Sequence, residues 1–296
     1  MNESKTIDFT SRVAIVTGGA SGMGLAYVRA LVARGCAVVV NDRRGAEAVS
    51  DAITRDGGQA TACAIPVGTA EAARQIASET IARYGRIDIL INNAGVARPE
   101  PFAQLDDGHV ATQFATNLIG PFELMRAVWP TMAAQSYGRI LNIASIGALG
   151  IGRSAVYAAA KAAMLGLTFD TAIDGRDVGI LVNAALPSAF TPMTEQIPDA
   201  ALVDWYRRYL SAERVAAALL WFVSEACDVS GIAVTTGGGR IARIGFGDGP
   251  AFLDPNITPE LVDQEIAGVL APESLYPLET QRQASDRYAT IFPRDA

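Results

Sequence analysis

The sequence "RVAIVTGGASGMG" at residues 12–24 decides the fold. A short β-branched run ends in a glycine-rich turn, and apolar residues at helical spacing follow over 25–35. Glycines let the backbone approach a ligand closely, and a helix N-terminus offers free N–H groups to phosphate. A plain structural turn is the alternative, but here Asp42 ends the next predicted strand, 24 residues after Gly18. The pattern therefore predicts a nucleotide-binding turn. Its expected contact residues are Gly18, Ser21, Gly22, Met23 and Gly24.

Downstream of this turn, buried apolar runs alternate with helical patterns as far as about residue 240. Near-continuous Val, Ile and Leu in the runs predicts an α/β fold, a Rossmann-type doubly wound parallel sheet of seven strands with helices on both faces. We expect one dinucleotide-binding and catalytic domain over residues 1–245. We expect residues 246–296 to form a C-terminal extension, an ordered arm and not a separate domain, because they retain many apolar side chains. The six later runs are 36–42, 59–67, 87–95, 138–145, 179–187 and 231–239.

Composition excludes several classes of function. The formal net charge of −7 disfavours nucleic acid and anionic membranes as partners. The three cysteines lie far apart in apolar surroundings, which favours buried thiols over a disulfide or a metal site, and a single histidine argues against a histidine-based centre. The polar start of the chain lacks the apolar region of a signal peptide, and no apolar run reaches membrane-spanning length. We therefore expect a cytoplasmic protein without a metal.

Asp42 bears on the identity of the nucleotide. A carboxylate at the end of the second strand accepts hydrogen bonds from ribose hydroxyls and repels a 2′-phosphate, which favours NAD over NADP. Arg43 and Arg44 favour the opposite choice, since a guanidinium there can hold that phosphate. A helix cap or a solvated turn residue is the structural alternative for Asp42. We predict NAD as the cofactor.

A second informative stretch is "ASIGALGIGRSAVYAAAK" at residues 144–161. Tyr157 and Lys161 are four positions apart in a helical pattern, so they share one face. A free tyrosine, with a pKa of about 10, is a poor base, and an adjacent ammonium favours its phenolate. Ser145 ends the preceding strand, at the sheet edge where ligands bind. The three groups can act on one substrate oxygen, although the Tyr–Lys pair alone is also compatible with a solvated surface helix.

Together these residues resemble the short-chain dehydrogenase/reductase family over residues 10–240. Its elements occur here in order as the glycine turn, Asp42, "NNAG" at 92–95, Asn117 in "FATNLIG", Ser145, "YAAAK" and "NAALPSAFT" at 183–191. Within the family, residues 25–42, residues 214–231 and the long tail resemble the (3R)-hydroxyacyl-CoA dehydrogenase unit of peroxisomal multifunctional enzymes.

The resemblance implies roles for individual residues. Tyr157 is the general acid/base, Lys161 also binds the nicotinamide ribose, Asn117 helps to hold a proton-relay water, and Ser145 positions the substrate oxygen. The remaining cofactor contacts that it implies are Asn93, Ala94, Gly95, Pro187 and Thr191. Relatives in this family commonly pair through the long helix from about 106 and the helix bearing Tyr157, so we expect a homo-oligomer, a tetramer.

Three departures from the family pattern stand out. Twelve positions separate Ser145 from Tyr157, where the family usually has thirteen. No acid follows the third strand at 66–68, and Pro187-Ser188 replaces the usual Pro-Gly. The first and third of these bear on the substrate class.

The sequence thus predicts an NAD(H)-dependent oxidoreductase that interconverts a secondary alcohol and a ketone. An NADP(H)-dependent 3-oxoacyl reductase is the nearest alternative, and a non-catalytic nucleotide-sensing protein is an alternative of another class. An apolar or hydroxyacyl-CoA-like substrate is compatible with the apolar loop after Pro187, although these side chains can equally pack that loop onto the domain or a neighbouring subunit. They are Met193, Ile197, Trp205, Tyr206 and Tyr209.

Overall fold

The structure is a computed structural model that describes residues 7–248, 258–270 and 276–278. Its strands are β1 (Val13–Thr17), β2 (Ala37–Asn41), β3 (Ala60–Cys63), β4 (Ile89–Asn92), β5 (Gly138–Ile143), β6 (Ile180–Pro187), β7 (Ala233–Gly237), β8 (Arg240–Ile244), β9 (Phe246–Asp248) and β10 (Tyr276–Leu278). Its α-helices are α1 (Gly22–Val32), α2 (Ala46–Arg55), α3 (Ala70–Tyr84), α4 (Asp107–Phe114), α5 (Gly120–Ala134), α6 (Ala155–Gly175), α7 (Ala200–Tyr209), α8 (Ala212–Leu219) and α9 (Pro259–Val269).

The main sheet has the strand order β3-β2-β1-β4-β5-β6-β7-β8. Strands β1 to β7 pair in parallel, as in the registers Val16↔Val40 and Val16↔Ile91. The predicted doubly wound α/β fold is confirmed. The sheet has eight strands, one more than the seven predicted.

The additional strand β8 forms because two glycines turn the chain back after β7. Gly238 and Gly239 have φ values of +59° and +89°, which few other residues adopt, and this two-residue connection makes β8 antiparallel to β7. Its sequence "RIARI" lies at the sheet edge with mostly exposed side chains, so it lacks the apolar run by which the other strands were identified.

The core lies on both faces of the sheet, because successive strand residues point to opposite sides. Val16 packs on the side of α1 and α8 with Leu31 and Leu219, whereas Ile15 packs on the side of α3 and α5 with Ile76 and Leu124. All three cysteines are free and buried, as predicted.

The chain winds from β1 outward to β3, then crosses back to β4 and winds the other way. Loops after β1 and β4 therefore leave the carboxyl edge of the sheet in opposite directions. In open α/β sheets this divergence creates the crevice in which ligands bind. The glycine turn after β1 and "NNAG" after β4 both lie at this point.

The chain divides into two compact units, Met1–Arg243 and Ile244–Ala296. In the second unit β9 pairs antiparallel with β10, and α9 is the helix described there. The prediction that the rest of the tail is ordered concerns residues that the structure does not describe. Residues 1–6, in the polar start of the chain, also lie outside the described residues. Whether the extension is an arm or a separate domain stays a prediction. None of the described helices has the length and apolar character needed to span a bilayer.

Candidate active site

The turn after β1 requires glycine at several positions. Gly18 and Gly22 have φ values of +64° and +51°, in the left-handed region that favours glycine. A Cβ on Gly18 would lie 3.0 Å from Ala94 Cα and from Asn93 Nδ2, and a Cβ on Gly24 would collide with the Gly18 carbonyl oxygen. Ser21 is the N-cap residue of α1, without a side-chain cap. The helix N-terminus therefore keeps its amide groups for a ligand.

Thr17, the last residue of β1, fastens this turn to the loop after β4. Its buried hydroxyl accepts hydrogen bonds from the backbone N–H groups of Asn93 at 3.0 Å and Ala94 at 2.9 Å. Asn93 Nδ2 in turn donates to the Thr17 carbonyl at 2.8 Å. Thr17 was not among the site residues predicted from the sequence. Its signal is a threonine that ends a strand immediately before a glycine turn.

The Asp42 carboxylate is directed at the same turn. One oxygen accepts from the backbone N–H of Ala20 and the other from that of Arg44, both at 3.2 Å. Asp42 is half-buried, whereas Arg43 and Arg44 are exposed. The predicted cofactor residues that follow β1 and β2 thus lie next to each other.

The loop after β6 covers the start of α1. A Cβ on Gly22 would lie 3.3 Å from Thr191 Cβ, so Thr191 contacts the glycine turn. Thr191 is held in a tight turn, because its backbone N–H donates to Thr194 Oγ1 at 2.7 Å. Pro187 ends β6, and Ser188 next to it donates to the Thr236 carbonyl at 2.7 Å. Both predicted residues of this loop therefore lie at the carboxyl edge of the sheet.

Ser145 and Tyr157 meet across a glycine. Ser145 Oγ follows β5 and accepts from the Gly147 N–H at 3.0 Å, which starts a short 3₁₀ turn. A Cβ on Gly147 would lie 3.2 Å from both Ser145 Oγ and Tyr157 Cε1. Tyr157 occupies the first turn of α6, so its ring lies near the positive end of that helix.

Lys161 lies one turn further along α6 and is almost fully buried. Its Nζ donates to the Ile143 carbonyl at 2.6 Å and lies 5.8 Å from the centroid of the Tyr157 ring. Burial lowers the pKa of Lys161 to about 8. The predicted pair thus shares one helix face, and the lysine carries its charge at an energetic cost.

Asn117 lies in a π-helical segment, Ala115–Ile119, between α4 and α5. Its buried side chain binds the Val96 backbone twice: Oδ1 accepts from the N–H at 3.0 Å and Nδ2 donates to the carbonyl at 2.8 Å. A Cβ on Gly95 would lie 3.0 Å from Asn117 Oδ1 and 3.7 Å from Lys161 Nζ. The segment interrupts what the sequence predicted as one helix over 106–135, and π-helical segments are frequent at functional sites.

Burial raises the pKa of Tyr157, while its hydrogen bond with Ser145 acts in the opposite direction. Burial therefore favours the protonated phenol, and the expected effect of Lys161 on the phenolate stays a prediction.

The family model for short chain dehydrogenase matches residues 12–201 of this chain. The chain therefore belongs to the short-chain dehydrogenase/reductase family of oxidoreductases, which bind a nicotinamide cofactor, NAD or NADP.

Individual relatives define the resemblance further. Peroxisomal multifunctional enzyme type 2 from Mus musculus is 36% identical over 248 residues, covering 80% of this chain and 33% of the mouse protein. The 3-oxoacyl-[acyl-carrier-protein] reductase from Synechocystis sp. is 34% identical over 241 residues, covering 78% of this chain and 98% of the reductase. The crystal structure of a short chain dehydrogenase from Mycobacterium avium has a TM-score of 0.80 and 30% identity, covering 92% of this chain and 99% of that one.

The predicted resemblance to the peroxisomal multifunctional enzymes is confirmed. The chain spans a third or less of the length of the mouse and fungal peroxisomal relatives.

Proposed function

We propose that this chain is an NAD(H)-dependent oxidoreductase that interconverts a secondary alcohol and a ketone, with Tyr157 as the acid/base. The observation that carries the proposal is the convergence of Ser145, Tyr157 and Lys161 at the carboxyl edge of the sheet, beside a glycine turn fit for a dinucleotide.

The residues at the sheet edge fit a dinucleotide. The glycines at 18, 22 and 24 leave space that side chains would fill, and the uncapped N-terminus of α1 suits a pyrophosphate. Asp42 suits the adenosine ribose, and Thr191, Tyr157 and Lys161 lie where they can hold the nicotinamide half. When bound, the nicotinamide takes or supplies the hydride.

The protein's own groups handle the proton and the substrate oxygen. Ser145 Oγ holds the oxygen of the carbinol or carbonyl, and Tyr157 gives or receives the proton of that oxygen. A phenol whose pKa is raised by burial is ready to act as the acid in ketone reduction. In alcohol oxidation, the positive charge of Lys161 must offset this effect of burial.

NAD is favoured over NADP because Asp42 is fixed by two backbone N–H groups beside the phosphate turn, where its charge repels a 2′-phosphate. An NADP-dependent 3-oxoacyl reductase is the second candidate. The exposed Arg43 and Arg44 and the similarity to the Synechocystis reductase favour it.

For the substrate we propose a 3-hydroxyacyl thioester, on the basis of the similarity to the peroxisomal enzymes. A nucleotide-sensing role without turnover is a weaker candidate, since the four catalytic residues of the family pattern are all present. A homotetramer and a cytoplasmic location complete the proposal.

The test is absorbance of reduced nicotinamide with NAD or NADP and a panel of secondary alcohols and (3R)-3-hydroxyacyl-CoA esters. We expect reduction of NAD with at least one member of the panel. Faster reduction of NADP would favour the second candidate. Nucleotide binding without any turnover would contradict the enzymatic role.

A further inference from the structure

Three of the four most exposed large apolar side chains of the described residues lie on two loops beside the catalytic groups. Phe102 is 79% exposed, Leu149 is 74% exposed and Ile151 is 64% exposed. Phe102 belongs to the loop after β4, and the other two belong to the loop between Ser145 and α6. We call these three residues the apolar rim. Exposed apolar side chains in a group on a soluble domain mark a binding surface.

The two loops are joined by their backbones. The Glu100 N–H donates to the Arg153 carbonyl at 2.6 Å. Phe102 lies two residues after Glu100, and Ile151 lies two residues before Arg153, so this hydrogen bond joins the segments that carry them. The loop after β4 is anchored further by Gln113, a buried side chain that accepts from the Arg98 N–H at 3.3 Å. The rim is therefore built on positioned backbone.

The shortened loop after Ser145 is tightly folded. Gly150, Gly152 and Arg153 have φ values of +94°, +75° and +51°, all in the left-handed region. A non-glycine residue in this region is uncommon and occurs where the surroundings hold it, often at ligand sites. Leu149 and Ile151 lie on either side of Gly150 in this loop, and both are exposed.

The rim is continuous with the candidate catalytic centre. Ser145 starts the 3₁₀ turn that ends at Leu149, and Gly147 within that turn contacts Tyr157. A substrate whose oxygen is held by Ser145 and Tyr157 must extend the rest of its carbon skeleton past the loops that surround these groups.

We propose that the apolar rim binds the hydrocarbon chain of the substrate, and that Phe102, Leu149 and Ile151 set a preference for long chains. This inference rests on the proposed function and deepens it. The rim gains stabilising contacts in proportion to the apolar surface that the chain covers.

The test compares wild type with the double variant Leu149→Ser/Ile151→Ser on two series, 2-alkanols and (3R)-3-hydroxyacyl-CoA esters of increasing chain length, with NAD. Burying one methylene contributes about 0.8 kcal/mol, so kcat/KM of wild type should rise about two- to fourfold per added methylene. The double variant should keep its rate on the shortest substrate within about twofold, while the rise per methylene falls below about 1.5-fold.

The matched control is Ile81→Ser, which removes an exposed isoleucine from α3 and should keep the wild-type chain-length dependence. Turnover that is equal for all chain lengths in wild type, or a rise that the double variant retains, would overturn the inference and leave the proposed function intact. Loss of an oligomer in the double variant with an unchanged rise would show that the rim is a subunit interface, which also overturns it. If wild type oxidised no member of either series, the proposed function itself would be overturned.

Discussion

The burial of Lys161 predicts that this residue is held at the expense of stability. The residue is 4% exposed, and burial lowers the pKa of its ammonium from 10.5 to about 8. At about 1.4 kcal/mol per pH unit, keeping the charge in the folded state at neutral pH costs about 3 kcal/mol. Replacing it by methionine removes this cost, but leaves the Ile143 carbonyl without its donor, a loss of about 1.5–3 kcal/mol. We expect Lys161→Met to be about 1 kcal/mol more stable than wild type at pH 7.

The difference in the free energy of unfolding between Lys161→Met and wild type should decrease as the pH rises. Below pH 8 both folded and unfolded wild type hold the proton on Lys161, and the cost is fully present. Between about pH 8 and pH 10.5 the unfolded chain binds this proton and the folded protein does not, so the free energy of unfolding rises with pH. The variant lacks this rise. Its advantage should therefore shrink as the pH increases and disappear by about pH 10.

Chemical denaturation of both proteins at pH 7, 8, 9 and 10, at one protein concentration, measures this difference. Other buried groups such as Cys36, whose pKa is raised to about 12, titrate in both proteins, so the difference isolates Lys161. Activity should fall at least a hundredfold in the variant, because the ammonium acts on Tyr157 and the cofactor. A variant less stable than wild type by more than about 1 kcal/mol at pH 7 would refute the reasoning.

Three further predictions concern the cofactor, the assembly and the tail. Wild type should have a higher kcat/KM with NAD than with NADP. Asp42→Ala should lower the ratio of these two values by roughly tenfold, equivalent to about 1.4 kcal/mol. A wild-type preference for NADP would show that Arg43 or Arg44 determines the choice of cofactor. Light scattering should report a tetramer, since α6 presents small residues such as Ala159 and Ala162 and closed symmetric assemblies are usual; a 31.0 kDa monomer at micromolar concentration would contradict this. Limited proteolysis should leave residues 246–296 attached, because their apolar content predicts an ordered arm; rapid removal with unchanged activity and oligomeric state would contradict it.

Features that depend on local backbone geometry could be predicted from the sequence. The glycine turn was recognisable because its positions require left-handed φ values and close approach, which Gly18 and Gly24 show. The shared face of Tyr157 and Lys161 follows from helical spacing alone. The parallel strands were evident from their continuous apolar runs.

Features set by tertiary contacts could not be predicted. Strand β3 ends at Cys63 and not at residue 67. After Cys63, the Asn41 side chain holds the backbone, because its Nδ2 donates hydrogen bonds to the carbonyls of Cys63 and Ile65. The π-helical segment at Asn117 depends on the Val96 backbone, which the sequence places 21 residues away. The raised pKa of Tyr157 follows from burial, which residue spacing does not report.

The central claim is that Tyr157 transfers the proton in an oxidoreductase, and Tyr157→Phe tests it most directly. The change removes one oxygen and little packing, so the fold should be kept. The dissociation constant for NADH, measured by the fluorescence of its reduced nicotinamide, should stay within about threefold of wild type. Turnover should fall by roughly two to four powers of ten, whereas Tyr84→Phe, which alters the tyrosine at the end of α3, should keep the wild-type rate. More than about a tenth of wild-type turnover in Tyr157→Phe, with cofactor binding intact, would contradict the account.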